Sequence, residues 1–181
     1  MTIYFSQRAS REGWVSFETD PRLRHTKARL YDRCLPCLTS LLEQAKDGGG
    51  TVQLEWAWDC WKVVAVLEER EQCLELLTRF GEAYPDEYVF GKLGTGKGRK
   101  SVAVMFHTED LLRRDRLYGL LCEVAAEHFP VAQVFYSRAC SDPYERLLGP
   151  WESWRQPCPI LHPERLAAVK ASLRESLYGR G

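Results

Sequence analysis

Two stretches of this chain carry residue types at spacings that chemistry uses. The first is Cys34-Leu35-Pro36-Cys37, a C-x-P-C run. Paired thiols at this spacing act as a dithiol redox site when the first thiolate sits at a helix N-terminus, where backbone dipoles lower its pKa. Pro36 suits that position, because the first helical turn does not need the N–H that proline lacks. Packing is the competing explanation: Leu30, Cys34, Cys37, Leu38, Leu41, Leu42 and Ala45 recur at three- and four-residue steps, so both thiols fall on an apolar helix stripe as small hydrophobes. A metal site asks for a second pair at recognised spacing, which the sequence does not offer, so no metal is expected.

The second stretch, Gly91-Lys92-Leu93-Gly94-Thr95-Gly96-Lys97-Gly98, approaches the phosphate loop G-x-x-x-x-G-K-[ST]. Gly98 stands where a hydroxyl must reach magnesium, and residues 101–106 read as strand rather than helix. Without a helix N-terminus there is no fan of amides for the phosphates, which argues against an ATPase or GTPase. What remains is a glycine-rich hairpin turn, either solvated by Lys92, Lys97, Arg99 and Lys100 or holding an anion with those cations and its backbone amides. His107 has no nucleophile or base placed beside it, and Thr108, Glu109 and Asp110 are explained as the cap and first turn of the next helix. No catalytic site is identifiable from the sequence, and no cofactor is expected.

Composition narrows the partners. Lys and Arg number 25 and Asp and Glu 25, so the net charge is zero and any anion site must be local. Seven cysteines, an odd set, follow an N-terminus that does not read as a signal peptide, which predicts thiols in a reducing cytoplasm rather than a disulfide framework. No run approaches the roughly 20 apolar residues of a membrane helix.

The elements that must position these residues follow from periodicity. A helix is expected from Leu30 to the glycines at 48–50, then strands over 51–58 and 61–67 and a helix over 70–84. Strands at 88–90 and 101–106 flank the glycine-rich turn, a helix over 111–129 stops at Pro130, and a strand covers 131–136. The order βαββαβ over residues 61–140 resembles the ferredoxin-like plait. The resemblance implies an α+β fold whose first strand lies between the fourth and third. The whole chain, 1–181, is expected to form a single domain, with 1–60 as an N-terminal strand and helix and 141–181 as a C-terminal wrap and helix. The strand at 52–58 has no place beside the first strand of such a sheet, which leaves one long bent strand over 52–67 or another strand order.

Topology adds a grouping that spacing does not give. The central hairpin, the start of the first strand and the end of the fourth are expected at one sheet edge, gathering Lys92, Lys97, Arg99 and Lys100 with Trp58, Trp61 and Arg138. Cations beside aromatic rings can neutralise and stack a nucleotide or single strand. The uncovered sheet face is expected to lie under Trp151, Trp154 and the stripe Leu166, Val169, Leu173 and Leu177, or within a homodimer. The functional expectation is a small cytosolic binding or regulatory module. An RNA- or nucleotide-binding protein working from the hairpin edge is the alternative, and a thiol-dependent redox enzyme is the third.

Overall fold

The computed structural model describes residues 2–5, 13–22, 28–46, 49–95 and 101–179, without the side chains of 28–34 and 141. Of the expected site residues, Lys97, Arg99, Lys100 and the Cys34 side chain lie outside this description. In chain order the elements are β1 (Tyr4–Phe5), β2 (Val15–Glu18), α1 (Ala28–Lys46), β3 (Thr51–Val52), α2 (Trp56–Asp59), β4 (Trp61–Leu67), α3 (Arg70–Ala83), β5 (Phe90–Gly94), β6 (Val102–Thr108), α4 (Leu111–His128), β7 (Gln133–Arg138), α5 (Ser141–Leu148), β8 (Cys158–Pro159) and α6 (Leu166–Tyr178). The fold is α+β, and the pairs β1–β2, β2–β5, β5–β6, β4–β6 and β3–β8 are antiparallel.

Two compact units share the chain. The first joins Met1–Leu30 to Trp61–Ser137, and the second joins Tyr31–Cys60 to Arg138–Gly181. In the first, a six-stranded sheet runs β1-β2-β5-β6-β4-β7. Alternation in β4 sends Val63, Ala65 and Leu67 to one face, where they meet Leu76, Leu77 and Phe80 of α3 and Leu117, Leu121 and Val124 of α4. Phe106 is at the heart of this layer, with its ring 4.9 Å from Phe80 and 6.1 Å from Phe17. Glu69 and Gln72 form a reciprocal capping box at the start of α3, and the Asp110 carboxylate accepts from the Arg113 amide at the start of α4.

The second unit gathers Cys37, Leu41 and Leu42 of α1, Tyr144, Leu147 and Leu148 of α5, and Val169 and Leu173 of α6 around a two-stranded β3-β8 ladder. Two expectations are corrected here. Residues 51–58 form neither a strand of the main sheet nor the first half of a bent one: Thr51–Val52 pairs with Cys158–Pro159, and Trp56–Asp59 is a helical turn. Pro36 does not open a helix, because α1 begins at Ala28 and carries Pro36 inside it. The stripe at Val169 and Leu173 is buried in its own unit's cluster together with Trp154.

The glycine-rich stretch is corrected as well. Gly91 to Gly94 is not a turn but strand β5, which pairs with β2 and β6 at once. A Cβ on Gly91 would stand 1.6 Å from the Met105 carbonyl oxygen, so glycine is required by the closeness of two strands rather than by a turn.

Candidate functional site

The two faces of the first unit's sheet carry different chemistry. On the helix side, Trp61 opens β4 opposite Thr108, and the Arg114 guanidinium lies 4.3 Å from its ring centre and 4.2 Å from that of Tyr136. The Arg113–Arg116 run at the start of α4 is held by contacts rather than fully solvated. The Arg114 side chain is 13% exposed, Arg113 donates to the Tyr88 carbonyl, and Arg116 is held by Glu87. These contacts fix α4 on the sheet.

The opposite face is defined by the alternate residues, in rows that the register sets directly. One row runs Glu18, Phe90, His107 and Lys62: Glu18 pairs with Phe90, Phe90 stacks on His107 with ring centres 6.3 Å apart, and His107 pairs with Lys62. The adjacent row runs Ser16, Lys92, Met105 and Val64. On β7, Val134 and Tyr136 pack into the helix-side core, so Phe135 belongs to the opposite face, where it is 44% exposed. Lys62, Phe90, Lys92 and Met105 are half-buried, His107 is buried, and Lys92 makes no ion pair among the described residues. The acidic member of the row is already engaged, since the Glu18 carboxylate accepts from the Thr19 and Asp20 amides, both at 3.0 Å.

Of the expected grouping of cations and tryptophans, Lys97, Arg99 and Lys100 lie outside the described residues, and Trp61 is not at the sheet end where it was expected. Leu67, the end of β4, pairs with Val102, the start of β6, while Trp61, the start of β4, pairs with Thr108 at the far end of β6. Trp61 therefore lies with Arg114 at the sheet end away from Val102, and it is buried. Lys92 sits inside β5 rather than on the turn. Trp58 and Arg138 belong to the second unit and meet each other, the guanidinium 4.4 Å from the ring centre. The error was one of direction: in an antiparallel sheet the start of one strand faces the end of its partner.

Cys37 is buried well inside α1, where the dipole that would lower a thiol's pKa at the N-terminus does not reach it. In the first unit Cys73 is fully buried on α3, and burial pushes its thiol up to about 12. Among the described residues no group of three or more His, Cys, Asp or Glu is arranged to hold a metal ion, and no helix is long and apolar enough to cross a membrane.

Sequence reasoning missed Lys62, Phe90, Met105 and Phe135. Their signal was the alternation within each strand: Lys62 interrupts the otherwise apolar run from Trp61 to Leu67. Which residues share a row requires the register, and periodicity alone does not supply it. No family model, no characterised protein and no solved structure matches the chain.

Proposed function

We propose that this chain is a small binding module that holds a phosphate-bearing ligand, in the first instance single-stranded RNA, on the sheet face opposite α3 and α4. The observation that carries the reading is the pair of rows containing Lys62 and Lys92 beside Phe90, Met105 and Phe135. Lys62 and Lys92 are two strands and one row apart, so their Cα atoms are about 12 Å from each other. That separation suits charge distributed along an extended ligand better than a single phosphate. Exposed Phe135 offers a stacking surface that every base can use.

The same proposal takes β4 to β7 as a ferredoxin-like centre. The strand order supports it, with β4, the first strand of the motif, between β7, the fourth, and β6, the third. A cytosolic location rests on the seven cysteines described above. Homodimerisation belongs to the reading through β7, a six-residue strand at the end of the sheet order. Sedimentation across a wide concentration range checks that point, and an unchanging monomer removes it.

The test of the binding reading is titration of a fluorescent oligouridylate and a nucleotide panel at low and moderate salt. The expected result is RNA binding that weakens with salt, because each phosphate neutralised by a lysine releases a counterion. The Lys62→Ala, Lys92→Ala double variant is expected to bind at least tenfold more weakly. Absence of binding at low salt, or equal binding by the variant, removes the reading.

A further inference from the structure

Four cysteines of the second unit lie in or against one apolar cluster: Cys37, Cys140 and Cys158 are buried in it, and half-buried Cys60 packs on it. Three of them converge on Tyr144. The Tyr144 hydroxyl donates to the Cys37 carbonyl at 2.8 Å, and Cys140 precedes Tyr144 by four residues at the start of α5 and so shares its side of that helix. Cys60 ends the Trp56–Asp59 turn, and its carbonyl accepts from the Ala139 amide at 2.9 Å. That bond joins Cys60 itself to the residue before Cys140 and so brings the two chain segments side by side, which is what a disulfide needs before it can close. Burial first, then the charges of Cys37, Cys140, Glu55 and Cys60, raise the Tyr144 pKa, so the phenol stays a neutral donor amid the thiols. Arg138, two residues before Cys140, stacks on Trp58, two residues before Cys60, which ties the same two chain segments together a second time.

We infer that Cys60 and Cys140 form a thiol modification site that closes reversibly to a disulfide under peroxide. Cys60 is the attacking thiol because it is the partly exposed one of the two, whereas Cys140 is buried. The thiolate sulfur attacks one oxygen of hydrogen peroxide, the O–O bond breaks, and the products are a sulfenic acid at Cys60 and hydroxide, which takes up the thiol's proton to become water. The Cys140 sulfur then displaces the hydroxyl from the Cys60 sulfur, and its own proton leaves with that hydroxyl as a second water. Two thiols and one peroxide give one disulfide and two waters.

The experiment treats the reduced full-length protein with a small excess of hydrogen peroxide, blocks remaining thiols with an alkylating reagent, and maps the digest without reductant. The expected product is a peptide pair joined through Cys60 and Cys140, released by dithiothreitol. Cys60→Ser, at a half-exposed position, is expected to keep its circular dichroism and to give no such pair. Because Cys140 is buried and its replacement threatens folding, the map of the unsubstituted protein decides the matter. Cys60 carried on to sulfinic acid with Cys140 unlinked, Cys140 joined to Cys37, or no peroxide product at all each overturns the inference.

Discussion

Adjacent residues of one strand, Phe106 and Met105, point to opposite faces of the sheet and serve different ends. Phe106 is fully buried between Phe17 and Phe80, and Gly91 beside it leaves no room for a methyl group. Met105 stands in a row with Lys92 and Val64, one row and two residue positions from the Phe90–His107 stack. The helix face spends its residues on packing and has little tolerance for change. The opposite face mixes packed groups, Val64 and His107 being buried, with half-buried Lys62, Lys92, Phe90 and Met105 and exposed Phe135. Its half-buried and exposed members are the ones whose composition is left to serve a ligand.

If that division is real, substitutions should sort by face, and the largest effect should come from the packed side. Phe106→Ala is expected to lower unfolding stability by about 3–5 kcal/mol, measured by urea denaturation, through lost burial and the cavity left behind. Gly91→Ala is expected to cost about 1–3 kcal/mol or more, since the added Cβ must push two paired strands apart. The Asp110→Ala change removes the cap of α4 and is expected to cost about 1 kcal/mol, read as a lowered Tm. Smallest of all, Lys92→Ala and Phe135→Ala are expected to stay within about 0.5 kcal/mol of the parent while weakening RNA binding. A Phe135→Ala variant as unstable as Phe106→Ala would erase the distinction between the faces.

The legible part of this fold was local. Val63, Ala65 and Leu67, or the run from Leu74 to Phe80, announce their elements because their partners in the pattern lie a few residues away. Cys37 was placed on its apolar stripe for the same reason. What failed needed distant chain: β2 is four residues between polar flanks and gains its place only by pairing with β5, some seventy residues on. Thr51–Val52 left the main sheet for Cys158–Pro159, a partner no periodicity names. α5 was hidden within a segment read as a proline-rich wrap. The candidate site suffered most, because its rows are properties of register: Lys62 and His107 are forty-five positions apart in sequence and become neighbours only across β4 and β6.

The central claim is that ligand meets one face of the sheet and not the other, and side-chain methyl groups report the two faces separately. A methyl-labelled sample of the native protein, titrated with oligouridylate at low salt, places probes on Met105, Val64 and Val66 for the proposed binding face and on Val63, Leu93 and Val104 for the packed one. The account predicts saturable shifts of the Met105, Val64 and Val66 methyls, reversed by added salt, with Val63, Leu93 and Val104 nearly still. Binding that leaves the Met105, Val64 and Val66 methyls unmoved would contradict it.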